Sequence, residues 1–167
     1  MSGDLPGPVA NSLANPLANP PAGDSRPASL TMNADALSLR KLGPWVTDLL
    51  ADAGEGAAAL QGRVELAVHE VCMNVVDHAY ALDHDPSPAD IEVAGWLDDD
   101  AVRIRVTDRG SDFERDAVSR PQPGVPQIRG YGLLIVEKLA DDVQYLRADG
   151  RNTWTLRFHR TRDNQES

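Results

Sequence analysis

Glu70 and Asn74 stand four residues apart inside an otherwise apolar stretch, VELAVHEVCMNVVDHAY, residues 64–80. On a helix that spacing stacks both side chains on one face, and Asp77 or His78 extends the polar stripe by another turn. A buried, unpaired carboxylate costs on the order of several kcal/mol, so the stripe requires partners. Neighbouring side chains or the cap of another element could supply them. Alternatively the stripe faces a cleft, with Glu70 as a base beside an amide oxygen, that of Asn74, which ligates a metal. A second candidate is Asp108, which ends the alternating segment VRIRVTD and precedes Arg109 and Gly110. A carboxylate there can accept a hydrogen bond from an exocyclic amine, and Gly110 lets a ligand approach the backbone. An ordinary Asp-x-Gly turn accounts for the same residues. The third candidate is Arg129-Gly-Tyr-Gly-Leu133, where Gly130 and Gly132 free amide N–H groups ahead of a helix, a setting that favours an anion. No Gly-Lys-Ser/Thr follows and no third glycine is present, so this is neither a P-loop nor a dinucleotide fingerprint.

These residues need elements to hold them. Ala28–Met32 reads as a short edge strand. A helix is expected from Asn33 or Asp35 as N-cap through LSLRKLGPWVTDLLADAG, kinked or divided at Gly43-Pro44. Gly54 and Gly56 punctuate the turn into the central helix, whose apolar residues cover most of its circumference and predict burial on several sides. His84–Pro88 reads as a loop. Ile91–Leu97 and Val102–Thr107 alternate as two antiparallel strands across Asp98-Asp99-Asp100, a solvated turn without the further oxygen ligands of a calcium loop. A long polar segment, Asp108–Arg129, is expected to be a lid or binding loop rather than filler. Leu133–Ala140 opens as a helix, and Val143–Leu146 with Trp154–Phe158 forms a final hairpin through Ala148-Asp149-Gly150. The order predicts one α+β two-layer sandwich, with helices on one face of a mixed, mostly antiparallel sheet.

Bulk properties narrow the function. The 167 residues are 41% hydrophobic and 25% charged, enough for one globular domain plus a tail. Residues 1–27 hold half of the prolines and a tandem LANP, and are expected to form a disordered extension. The domain is expected over 28–160, followed by a disordered tail at 161–167. A net charge of −10 and a pI near 4.7 argue against a direct nucleic-acid surface or an anionic membrane. The lone cysteine, Cys72, points to a reducing compartment and reads as a small hydrophobe, since His69 with Cys72 has no second ligand pair for zinc. Without a membrane span or a signal-peptide pattern, a cytoplasmic protein is expected.

Taken in order, Glu-x-x-x-Asn on a helix, Asp-x-Gly after a strand and Gly-x-Gly-Leu opening a helix behind a long loop resemble the ATP-binding domain of the GHKL superfamily. Type II topoisomerases and sensor histidine kinases share that domain. EVCMNVVDHAY, DRGSDF and GYGLLIVEKLADDVQY most resemble the bacterial anti-sigma factor serine/threonine kinases, over about residues 28–160. The resemblance implies the GHKL (Bergerat) ATP-binding fold, with ATP and Mg2+ as cofactors. By the same resemblance Asn74 ligates the magnesium and Glu70 is the catalytic base. Asp108 reads the adenine amino group with Gly110 beside it, and Arg129, Gly130, Gly132 and Leu133 form the phosphate end. Either Asn152 or Thr153 lies near the adenine. Implied partners are a STAS-type anti-anti-sigma factor, which would be phosphorylated, and a sigma factor, which would be sequestered by a homodimer. Apolar residues near the edge strand (Leu37, Leu39, Trp45) would serve that dimer or the core. The sequence departs from the superfamily's Asp-x-Gly-x-Gly pattern at Asp112, followed by Phe113, and the N-terminal extension has no counterpart. A regulator gated by ATP without phosphoryl transfer is the competing reading, and retention of Glu70 favours the kinase. A sensor histidine kinase is disfavoured, since no histidine precedes Ala28.

Overall fold

The computed structural model describes residues 26–79, 89–111 and 132–160. The alternating segments form five strands: β1 (Ala28–Asn33), β2 (Asp90–Leu97), β3 (Ala101–Asp108), β4 (Asp142–Ala148) and β5 (Arg151–His159). They make one sheet in the order β1-β2-β3-β5-β4, and every pairing is antiparallel. β5, the last described strand, is inserted between β3 and β4, which therefore point the same way without touching. The β4–β5 turn is two residues, Asp149 and Gly150, both at positive φ (53° and 71°). That backbone matches the right-handed twist of a tight hairpin.

Period-two alternation sends Val102, Ile104 and Val106 of β3 and their partners Phe158, Leu156 and Trp154 of β5 to one face, where all six are buried. Burying a side chain of this size contributes about 1.5–3 kcal/mol, so this double row is the floor of the core. The opposite face carries Arg103, Arg105 and Thr107 from β3 and Thr153, Thr155 and Arg157 from β5.

Helices cover the apolar face. Asp35 accepts hydrogen bonds from the Ser38 backbone N–H (2.8 Å) and hydroxyl (3.0 Å), starting a 3₁₀ turn over Ser38–Lys41. Helix α1 (Leu42–Leu49) follows directly. Gly43 and Pro44 do not divide the helix as the sequence suggested. They lie in the first turn of α1, where an N–H has no intrahelical acceptor and proline costs little. α1 packs onto β2 at Gly95, where a Cβ would come within 2.7 Å of Leu49 Cδ2 and 2.9 Å of Trp45 Cη2. Leu39 and Trp45 belong to the core, whereas Leu37 is exposed.

α2 (Ala57–Asn74) is the central helix, with Val64, Ala67, Val68, Val71 and Cys72 fully buried and Leu66 exposed. It does not continue as an α-helix to Tyr80. From Val75 to Ala79 the helix widens into a π turn, immediately after Asn74, a distortion often found at functional sites. α3 (Gly132–Leu139) packs along α2. Arg63 of α2 fixes its far end by donating two hydrogen bonds to the Leu139 carbonyl (3.2 and 2.8 Å) and pairing with Asp141 (3.3 Å).

The aspartate turn does more than face solvent. Asp98 binds Arg103 and Asp100 binds Arg157, both at 2.7 Å, while Arg160 donates to the carbonyls of Asp98 and Ala53. The expected extension up to residue 25, the loop at 84–88, the residues 112–131 of the expected lid and the tail after 160 lie outside the described residues. Among the described residues, no helix is long and apolar enough to cross a membrane.

Candidate functional site

Two groups of polar residues carry the candidate site. The first is built on Asp108, the last residue of β3, which is 2% exposed. Its Oδ1 accepts the Gly110 backbone N–H at 2.9 Å, so the ordinary Asp-x-Gly turn does form. The same oxygen accepts Asn152 Nδ2 at 2.9 Å from the directly opposed position of β5. Oδ2 is buried and has no hydrogen-bond partner among the described residues. Burial pushes the Asp108 carboxyl above its usual range, against the lowering effects of the Asn152 and Gly110 hydrogen bonds and the Arg147 charge. A turn alone needs one carboxylate oxygen. The second is left as a buried acceptor, which costs about 1–3 kcal/mol unless a donor reaches it.

Asn152 is itself pinned on every side. Its Oδ1 accepts from Tyr145 Oη (2.7 Å) and Arg147 Nη1 (2.8 Å), and its Nδ2 also donates to the Ser111 carbonyl (2.9 Å) and, at 3.3 Å, to that of Gly110. Arg147 bonds the Gly110 carbonyl as well, at 3.0 Å. Asn152, Arg147 and Tyr145 thus lock both Asp108 and the residues leaving β3. Of the two alternatives on β5, the structure sets Asn152 beside Asp108, and Thr153 turns to the opposite face. Arg147 and Tyr145 were missed in the sequence. The two-residue Asp149-Gly150 turn was the signal, since it pairs Arg147 with Asn152 and Tyr145 with Trp154.

The second group sits on α2 and the start of α3. Glu70 and Asn74 are both half-buried, and Gly132 is packed against them. A Cβ on Gly132 would lie 2.8 Å from Glu70 Oε2 and 3.5 Å from Asn74 Oδ1. A side chain there would have to displace the Glu70 carboxylate. Leu133 follows and packs against the core. Cys72 lies between Glu70 and Asn74 in sequence but, two residues from each, on the opposite side of α2. Burial first, then the Asp108 charge, pushes its thiol up to about 12. Arg129 and Gly130 lie outside the described residues, as do Asp112 and Phe113.

As to a metal, no cluster of three or more His, Cys, Asp or Glu side chains occurs among the described residues. Asn74 offers one hard amide oxygen beside a carboxylate. That donor set suits magnesium, which keeps several waters and takes its remaining oxygens from phosphates.

Among the described residues, a five-stranded antiparallel sheet under three helices, with a buried acceptor at the end of β3 and Glu70 and Asn74 against the start of α3, makes a two-layer α+β domain. Residues 32–158 match the family of the histidine kinase-like ATPase domain, and the chain belongs to that family. The chain is 30% identical over 89 residues to the serine-protein kinase RsbW of Oceanobacillus iheyensis, covering 48% of this chain and 54% of that protein. It is 29% identical over 104 residues to the serine-protein kinase RsbW of Bacillus cereus, covering 57% and 62%. The chain thus spans somewhat over half the length of these relatives. The crystal structure of the RsbU and RsbW domains of a Mycobacterium tuberculosis protein superposes with a TM-score of 0.56 at 25% identity, covering 80% of this chain and 32% of that one.

Proposed function

We propose that the chain is an ATP-dependent serine/threonine protein kinase that acts as an anti-sigma regulator. The observation that carries the reading is the orphaned Oδ2 of Asp108, a buried acceptor suited to the amino group of adenine. Membership of an ATPase-domain family and similarity to two serine-protein kinases support it. Asp108, locked by Asn152, reads the base. Gly132 and Leu133, with Arg129 and Gly130 before them, receive the phosphates at the start of α3, where free N–H groups and the helix dipole favour negative charge. Magnesium held by Asn74 would neutralise phosphate charge. Glu70 accepts the proton of a partner serine or threonine hydroxyl as its oxygen bonds the γ-phosphorus. The bond from that phosphorus to the β,γ-bridging oxygen breaks, and ADP leaves. The acceptor proposed is a STAS-type anti-anti-sigma protein, and when that partner is absent the kinase, as a homodimer in the cytoplasm, sequesters a sigma factor.

The test is transfer of labelled γ-phosphate from ATP to candidate partners encoded beside this chain. Wild type labels a serine or threonine of one of them. Glu70→Gln is nearly isosteric and lowers the rate by about 10²–10⁴-fold, the usual worth of a general base. Its ADP affinity changes little. If wild type transfers no phosphate and Glu70→Gln alters nothing, the site gates partner binding with ATP and performs no transfer.

A further inference from the structure

Arg147 of β4, Asn152 of β5 and Asp108 of β3 stand side by side in one cross-strand row. Within that row the amide of Asn152 has a single orientation that its neighbours accept. Arg147 Nη1, a donor with no acceptor capacity, lies 2.8 Å from Oδ1, and Tyr145 Oη lies 2.7 Å from the same oxygen. On the other side the carbonyls of Ser111 and Gly110, which only accept, lie 2.9 and 3.3 Å from Nδ2. Turning the amide over would set its NH2 against a guanidinium and its oxygen against two carbonyls. A tyrosine hydroxyl can adapt to either orientation, whereas a guanidinium cannot. Arg147 therefore sets the polarity of Asn152.

That polarity passes to the carboxylate. Asn152 Nδ2 and the Gly110 N–H both donate to Asp108 Oδ1 at 2.9 Å, which occupies the lone pairs of that oxygen. A proton taken up by Asp108 has no place on Oδ1 and goes to Oδ2, which is buried without a hydrogen-bond partner among the described residues. Oδ2 is thus an acceptor when the carboxyl is ionised and a donor when it is not. Burial pushes the carboxyl up, while the Asn152 and Gly110 hydrogen bonds and then the Arg147 charge pull it down. The other titratable groups near this row are the Cys72 thiol on α2, pushed up to about 12 and so neutral at ordinary pH, and the Tyr145 phenol on β4. Arg147 brings the positive charge that favours the ionised carboxyl. It does so from an exposed position on an edge strand, with its guanidinium also bonded to the Gly110 carbonyl at 3.0 Å.

We propose that Arg147 is a positioning residue for base selection: acting through Asn152, it keeps Asp108 Oδ2 an acceptor, which admits the 6-amino group of adenine and rejects the 6-carbonyl of hypoxanthine and guanine. This selectivity rests on Asp108 reading the base, as proposed above. An ionised Oδ2 opposite a carbonyl oxygen sets acceptor against acceptor in a buried place, and only a protonated Oδ2 could donate to that carbonyl. Loss of Arg147 removes both the charge that favours ionisation and the donor that orients Asn152. The carboxyl then takes up its proton more readily, and the distinction between the two kinds of base weakens.

The test is calorimetric titration of the full chain with ADP and with inosine diphosphate, each with magnesium, from acid to neutral pH. Wild type at neutral pH should prefer ADP by about ten- to a hundredfold, the fold-change of one buried mismatched pair. In Arg147→Met that preference should narrow by about tenfold, the loss expected for one charge-assisted hydrogen bond. Its ADP affinity should also begin to decline at a higher pH than in wild type. Arg147→Lys keeps the charge and a donor, and should restore most of the preference and of the pH profile. Arg147→Gln keeps a donor without the charge, and carries the same test should Arg147→Met not fold. A neutral variant that retains both the wild-type preference and the wild-type pH profile overturns the proposal. So does one that loses affinity for both nucleotides in equal proportion, since that is a structural role alone. Wild type that binds neither nucleotide, or both equally, overturns the nucleotide reading of Asp108 itself. Wild type that prefers ADP beside unchanged neutral variants overturns the role of Arg147 and leaves the kinase reading standing.

Discussion

Asp108→Asn separates what the buried carboxylate does for the ligand from what it does for the fold. The asparagine retains one oxygen in the place of Oδ1, where Gly110 and Asn152 donate at 2.9 Å, and sets an NH2 in the place of the orphaned Oδ2. In the proposed nucleotide site that NH2 faces the amino group of adenine, donor against donor. A buried unsatisfied pair of this kind costs about 1–3 kcal/mol, which at about 1.4 kcal/mol per decade is a roughly five- to 140-fold loss of affinity. Stability moves the other way. Burial raises the Asp108 carboxyl, so the folded chain binds the proton more tightly than the unfolded one. Wild-type stability therefore falls as pH rises from the ordinary carboxylate value of 3.8 through the raised folded value, and stays lower above it. The asparagine carries no such penalty. At neutral pH the variant should melt no lower than wild type while binding ADP much more weakly. Affinity for ADP in wild type should decline on acidification, at a higher pH than an ordinary carboxylate titrates, because a protonated Oδ2 no longer accepts. Calorimetry with ADP and magnesium, paired with thermal melts across pH, measures both. Equal ADP affinity in the two proteins refutes the adenine assignment. A variant that melts far below wild type refutes the claim that the carboxylate is kept at the expense of stability.

Three further outcomes follow from close contacts. In Gly132→Ala the new Cβ displaces the Glu70 carboxylate, the flexible end of a side chain. Phosphoryl transfer should then fall by up to about a hundredfold with little change in melting temperature, as measured by labelled transfer and calorimetry. Gly95→Ala places a Cβ against Trp45 and Leu49, and should destabilise by about 1–3 kcal/mol in denaturant titrations without changing ADP affinity per folded molecule. Cys72 is fully buried with its thiol pushed up to about 12, so Ellman's reagent at pH 8 should label it only in denaturant.

All five strands were visible in the sequence, β2 and β3 from their hydrophobic alternation and β4 and β5 from the Ala148-Asp149-Gly150 turn that joins them. The antiparallel pairing of β2 with β3 and of β4 with β5 followed from their short turns. The π turn at Val75–Ala79 was not visible, since one extra residue per turn leaves the apolar composition unchanged. Gly43-Pro44 misled because a proline reads as a break until the helix start is known to lie just before it. At the site, Asp-x-Gly could not reveal that one carboxylate oxygen is spent on the turn and the other is not. Choosing between Asn152 and Thr153 needed the register of a strand pair, in which one residue of slip exchanges the two faces of the sheet. Asp98 and Asp100 looked solvated because their arginine partners on β3 and β5 are distant or ambiguous in sequence.

The insertion of β5 between β3 and β4 bears on how the chain is made. Asn152 lies 44 residues after the carboxylate it holds, so a nascent chain that has emerged only as far as β4 has no clamp on Asp108. It also has two interior strand edges open to other chains. Nucleotide binding therefore reports on completeness: a molecule truncated before Arg151 lacks both an interior strand and the Asn152 clamp on Asp108. Proteases and premature stops that remove β5 should yield aggregates and not a weakly active regulator. A cell that screens for ATP binding would be screening, in the same step, for a finished sheet.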